Sequence, residues 1–265
     1  MSARLLAGRF FARAGQFIQS LGVVIMKPDD LLELSRRSYG LESSVDGWSE
    51  AVDQGLSPIE AALLAAAPLK KGRLLLLGVG GGREAVALAK AGFEVTGVDF
   101  VPAMVERARK NVLERGTRME AQVWEVSRWG APAGSFDVVW LSGGGLYSTV
   151  PTRRKRVELL KSARVSLRPG GRVVCMFCFA AGREGPGWGA GDRLRKGLAF
   201  AVRGNVGYQR GDVLWGGKVF CHHFQSAEEL RSEFAEGGFE VLQLKTRDGC
   251  GSGALLRGDS AEGEI

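Results

Sequence analysis

Histidine is almost missing from this chain: His222 and His223 are the only two in 265 residues, and tyrosine occurs three times. Any chemistry that needs an imidazole base must therefore draw on one adjacent pair, which the pattern places on a single strand with side chains pointing oppositely. The local spacing supplies neither with an orienting carboxylate. An ordinary structural role is the simpler reading, with His223 retained as a candidate base. Cysteine is limited to Cys175, Cys178, Cys221 and Cys250, a usage that points to reduced thiols in a cytosolic protein. Cys175-x-x-Cys178 and Cys221-His222-His223 contain metal-ligand types. An offset of three on a strand turns Cys175 and Cys178 to opposite faces, so no metal site is expected.

Long apolar runs are also missing. Val23–Met26, the longest near the N-terminus, is far short of the roughly 20 residues of a membrane span, and no cleavage signature follows an apolar core. No acid precedes Asp29, whereas Arg4, Arg9, Arg13 and Lys27 lie among apolar residues. Phe10, Ala14, Phe17 and Leu21 recur at helical spacing, so residues 1–27 read as a basic amphipathic segment. It is packed on the domain, laid on a membrane surface, or a disordered tail. The expected location is cytoplasmic, with peripheral membrane contact as the consequence of the second reading.

What is present fits one globular domain with additions: 45% of residues are hydrophobic and 25% charged, enough to build a substantial core. The net charge of +7 permits contact with nucleic acid, anionic lipid or an acidic substrate without choosing among them. Its main clusters, Arg153-Arg154-Lys155-Arg156 and Arg193 to Lys196, read first as solvated helix faces.

The informative stretch is Gly72–Phe100. Leu74 to Leu77 form the apolar run of a strand covered on both faces, ending at Gly78-Val79-Gly80-Gly81-Gly82. A helical segment follows, stopped by Gly92, and a second strand, Phe93–Val98, delivers Asp99. Glycines let a backbone approach a ligand, a helix start offers free N–H groups, and an acid ending the second strand can accept ribose hydroxyls. A dinucleotide loop places a small third residue where this chain has Arg83.

Downstream, strands at Glu120–Val126, Phe136–Leu141 and Arg172–Cys178 alternate with helices, which implies a parallel sheet covered on both faces. The glycine loop, Asp99, Glu125 and the segment Ser142–Tyr147 all fall at the carboxyl edge, where such sheets bind ligands. Pro28–Tyr39 reads as a short helix and Gly40–Gln54 as a polar loop containing Trp48. Ser57-Pro58-Ile59-Glu60 is a capping box. Val213–Phe220 reads as a hairpin turned by Gly216-Gly217.

With Gly78-Val79-Gly80-Gly81-Gly82, Thr96-Gly97-Val98-Asp99-Phe100, Pro102-Ala103-Met104, Ser135-Phe136-Asp137-Val138-Val139 and Leu167-Arg168-Pro169-Gly170-Gly171 in place, Arg73–Cys178 resembles the core of class I S-adenosylmethionine-dependent methyltransferases. The resemblance implies a doubly wound, seven-stranded, mostly parallel α/β sheet with an antiparallel last strand. It also implies S-adenosylmethionine as cofactor. Gly78, Val79 and Gly80 would line the methionine end, Asp99 would hold the ribose, Phe100 and Met104 would flank adenine, Glu125 and Val126 would meet its amino group, and Ser142 would border the methyl. The family's acid two residues before the first glycine is here Leu76. That leaves Glu84 or backbone carbonyls to satisfy the cofactor's ammonium.

The implied organisation is an N-terminal helical segment and lid over 1–56, a methyltransferase domain over 57–258 with the insertion 179–225 as a substrate cap, and a polar tail over 259–265. Tyr147 and His223 are the catalytic candidates, and Tyr39, Tyr147 and Trp215 the candidate acceptor wall. The family's motif for exocyclic amino groups of bases is absent after the fourth strand, as is a Pro-Cys or Thr-Cys nucleophile. A small or lipid-like acceptor of a methyl on oxygen or nitrogen is the leading expectation. The rivals are an RNA or protein methyltransferase using the basic surface, with nucleic acid not favoured, and a non-catalytic binder of S-adenosylmethionine. Oligomeric state is not legible.

Overall fold

The computed structural model describes residues 5, 8, 15, 18, 20–125, 132–180 and 190–258. Helices α1 (Pro28–Tyr39), α2 (Glu42–Glu50) and α3 (Pro58–Ala66) precede β1 (Gly72–Leu77), α4 (Arg83–Lys90), β2 (Phe93–Asp99), α5 (Pro102–Glu114) and β3 (Met119–Val123). Next come β4 (Phe136–Leu141), the single turn α6 (Leu146–Thr149), α7 (Arg153–Ser166) and β5 (Leu167–Phe179). The rest is α8 (Ala190–Ala201), β6 (Asp212–Trp215), β7 (Val219–Phe224), α9 (Ala227–Glu236), β8 (Phe239–Lys245) and β9 (Gly249–Gly258).

The leucine run of β1 is buried on both faces because strand side chains alternate. Leu75 and Leu77 enter the core shared with α7 and α9, while Leu74 and Leu76 enter the one beneath α4 and α5. Each is at most 2% exposed, and burying one leucine contributes about 1.5–3 kcal/mol. β1 therefore pairs in parallel with both β2 and β4 at the centre of the sheet.

The expected seven strands are present in the order β3-β2-β1-β4-β5-β9-β8, with β9 antiparallel to both β5 and β8. Among the described residues the sheet has nine strands rather than seven, because the insertion adds the β6–β7 hairpin. β7 runs parallel to the end of β5, past the reach of β4, with Cys178 opposite His223 and Phe179 opposite Phe224.

Three expectations change. Gly40–Gln54 is not a loop but α2 followed by a 3₁₀ turn, Ala51–Gln54. Val45 packs with Val101 and Met104, so tertiary contact supplies what the polar sequence lacks. The insertion is a buttress: Leu198, Ala199, Tyr208, Leu214 and Phe220 pack against Val23, Val24 and Leu31. The C-terminal end of the basic amphipathic segment, residues 20–25, is thus a helix docked on the domain. The run Arg153–Arg156 is not simply solvated, since its cations are committed within the chain. Arg153 reaches Glu236, Arg154 Glu158 and Lys155 Asp29, and Arg156 is fully buried against Glu233 at 2.7 Å. Among the described residues no helix is long and apolar enough to cross a membrane.

Candidate functional site

At the carboxyl edge of β1, Gly78, Gly80 and Gly82 adopt φ of +76°, +51° and +95°, a region that only glycine enters cheaply. The turn is pinned from beneath, where the N–H groups of Gly78 and Val79 both donate to the Val98 carbonyl at 2.7 and 3.1 Å. A Cβ at Gly80 would meet no atom within 4 Å, so the loop presents bare backbone to an open cradle. At Gly81 a Cβ would collide with the Trp48 carbonyl oxygen, so the bare glycine lets α2 lie directly on the loop.

Asp99 ends β2 at 6% exposure. Its Oδ2 accepts the Gly80 N–H and its Oδ1 the Val101 N–H, each at 3.0 Å. Burial pushes this carboxyl upward from its ordinary range, and the backbone donors only partly oppose that. Each oxygen keeps a second lone pair, which matches a vicinal diol.

A cavity open at its mouth lies above this edge. Gly78, Val79, Gly80, Asp99, Phe100, Met104, Glu125, Ser142 and Tyr39, all expected at the site, line it together. Val126 lies outside the described residues. Leu32, Ser35 and Tyr39 of α1 and Trp48 of α2 roof it, with Tyr39 edge-on to both Trp48 and Phe100. Leu146, Thr149 and Val150 close the side beyond β4. Trp48 was missed as a site residue; an aromatic set in an acidic stretch was its signal.

Glu84, in the first turn of α4, faces the same cavity. Its Oε1 accepts from Arg83 Nη2 and from the Gly143 N–H, both at 2.8 Å. Arg83 in turn forks onto Glu60 at 2.8 and 2.9 Å, and Glu60 is the acid of the Ser57 capping box. The residue that excludes a dinucleotide loop is therefore the tie between α3, α4 and the loop after β4. Burial raises the Glu84 carboxyl above the usual range while Arg83 pulls it down.

Three expected site residues are placed elsewhere. Tyr147 is fully buried, because a helical turn directs it into the core, where its hydroxyl donates to Glu233 at 2.8 Å and its ring stacks on Phe224. Burial and Glu233 push its phenol well above the normal range, and it does not line the cavity. Trp215 is 37% exposed on the hairpin and packs against His223. Neither it nor His223 lines the cavity, nor does any other described residue of the insertion. Among the described residues it is α1 and α2 that roof the cavity. His222 does have carboxylates, Asp212 at 2.7 Å and Glu229 at 3.1 Å, which the fold brings from β6 and α9. That triad is likewise outside the cavity. Cys178 and Cys250 lie in disulfide contact across β5 and β9, contrary to four reduced thiols, while Cys175 and Cys221 are free and buried.

A glycine cradle next to a diol-accepting acid, at the carboxyl edge of a doubly wound sheet, defines a protein that holds a nucleoside cofactor. The methyltransferase-domain family matches residues 74–171. The ubiquinone biosynthesis O-methyltransferase of Nitrosococcus oceani is 30% identical over 173 residues, 65% of each chain. An S-adenosyl-L-methionine-dependent Diels-Alderase of Neonectria is 39% identical over 79 residues, 29% of this chain and 32% of its own. In fold, a methyltransferase structure from Methanosarcina mazei superposes with a TM-score of 0.57 at 20% identity, covering 77% of this chain and 99% of that one. The chain spans about two fifths to two thirds of the ubiquinone-pathway relatives it matches. Residues 74–171 thus match a methyltransferase domain, and the fold is shared with class I S-adenosylmethionine-dependent methyltransferases.

Proposed function

We propose that the protein transfers a methyl group from S-adenosylmethionine to an oxygen of a small, largely apolar molecule. The observation that carries this is the Asp99–Gly80 cradle opening into a cavity roofed by Leu32, Tyr39 and Trp48. When bound, S-adenosylmethionine supplies an electrophilic methyl on a sulfonium centre. Asp99 would hold the ribose hydroxyls, and Phe100 and Met104 would pack on adenine with Glu125 at its edge. Glu84 would face the ammonium, taking over from the acid that Leu76 replaces. Tyr39 and Trp48 exclude water and hold the acceptor for in-line attack, so positioning supplies most of the rate.

No described histidine lines the cavity, and its carboxylates are Glu84, Asp99 and Glu125. An acceptor that readily gives up its own proton, a phenol or enol, suits such a wall better than an aliphatic alcohol. The names of the ubiquinone-pathway relatives support oxygen as the acceptor atom. The pairing of Arg153–Arg156 within the chain weighs against a nucleic-acid surface. A second reading, a cofactor-dependent cyclisation without methyl transfer, draws on Leu76 and on the Diels-Alderase match.

Calorimetry with S-adenosylmethionine, S-adenosylhomocysteine and NAD tests the cofactor; NAD binding with neither of the others overturns the proposal. Turnover of a phenolic acceptor panel should release S-adenosylhomocysteine. Product formation without it would favour cyclisation. A cytoplasmic location, with membrane contact through residues 1–27, is proposed as well. Liposome flotation with and without that segment decides the contact.

A further inference from the structure

Below the loop that follows β4, three neighbouring strands bring sulfur and nitrogen ligands together. Cys178 of β5 stands in register with His223 of β7 on one side and Cys250 of β9 on the other. Opposed residues on neighbouring strands share a face, and Cys221, two residues before His223, shares it too. One ligand atom from each of the four lies within 4.8 Å of all the others. Tetrahedral zinc, with Zn–S of about 2.3 Å and Zn–N of about 2.0–2.1 Å, has ligand-to-ligand edges of about 3.5–3.8 Å. That geometry requires reduction of the Cys178–Cys250 bond, with its two sulfurs turned apart. Cys178 and Cys221 are buried while His223 and Cys250 are half-buried. Three thiolates and an imidazole form a soft donor set that disfavours magnesium and calcium.

We propose that Cys178, Cys221, His223 and Cys250 of the reduced protein bind a zinc ion as a structural centre. Cys175 is not a partner for Cys178; the register of β9 supplies Cys250 in its place. Loading forms three Zn–S bonds and one Zn–N bond, the three thiol protons leave to solvent, and no electrons move. A Cys178–Cys250 disulfide instead ties up two of the ligand sulfurs. The two states exclude each other.

The centre lies against the cavity wall. Gly145, at φ +81°, rests on it so closely that a Cβ there would lie 2.7 Å from the Cys178 sulfur and 3.4 Å from that of Cys250. The Cys178 N–H donates to Ser148 Oγ at 2.9 Å. Ser142 and Gly144 of the same loop line the cavity, so the ion would fix that wall whatever reaction the cavity performs. The proposal does not rest on methyl transfer.

The test is metal analysis of the full chain purified under reducing conditions and dialysed against zinc, with cobalt(II) as a spectroscopic stand-in. About one zinc per chain and the absorption of tetrahedral thiolate-bound cobalt are expected. Cys250→Ser and His223→Ala should each weaken zinc by more than the about tenfold lost with an outer-shell partner, whereas Cys175→Ala should keep it. Absence of metal from the folded, reduced wild-type protein overturns the proposal, even if the variants fail to fold. So does retention of full affinity by folded Cys250→Ser, or a Cys178–Cys250 disulfide that persists in the reduced preparation.

Discussion

Glu84→Gln is the substitution that bears most directly on how this chain replaces the acid missing at Leu76. The exchange is nearly isosteric, and the amide oxygen can still accept the Gly143 N–H and an Arg83 N–H, each now at 2.8 Å. What it removes is the negative charge facing the cavity. A hydrogen bond to a charged group contributes about 1.5–3 kcal/mol, and each 1.4 kcal/mol is about tenfold in affinity. Affinity for S-adenosylhomocysteine should therefore fall about ten- to hundredfold by calorimetry. Methylthioadenosine, which has the nucleoside but no amino-acid end, should bind the variant and the parent alike. The same carboxylate makes affinity pH-dependent. Burial raises its pKa, and only the charged form offers the ammonium its full affinity. That affinity should be lost as pH falls through a point above the ordinary carboxylate range. Equal loss for both ligands, or no loss for either, would refute the assignment and return the ammonium to backbone carbonyls.

Asp99→Asn should instead weaken both ligands by about tenfold or more, since the ribose is common to them; an unchanged methylthioadenosine affinity would show the ribose site misplaced. Tyr147→Phe removes one buried hydrogen bond to Glu233, so it should cost about 0.5–1.5 kcal/mol in denaturant unfolding and leave kcat intact. A large fall in kcat with unchanged stability would restore a catalytic role. Trp48→Ala opens the roof and should raise the acceptor's KM about tenfold while leaving cofactor affinity within a few-fold. A cofactor-only effect would move the acceptor elsewhere.

The leucine run, the glycine turn and Asp99 could be read without coordinates because their physics is local. Strand burial needs an apolar run, a left-handed turn needs glycine, and the acid sits at the end of its strand. Those features, with the alternation of strands and helices, determined the sheet and the edge at which the glycine loop and Asp99 meet. They did not determine which surface closes the cavity, for α2 is polar in sequence and becomes a helix only because Val45 finds Val101 and Met104. Nor did they place Tyr147, which one turn of α6 swings from the sheet edge into the core beside Glu233, a residue 86 positions away. The fate of the cysteines was decided in the same way. Cys178 and Cys250 are 72 positions apart, and only the antiparallel register of β9, with β7 on the other flank, brings them and Cys221 to the same face as His223. Local chemistry is written along the chain, whereas contact between distant residues is set by strand register, which no short stretch of sequence specifies.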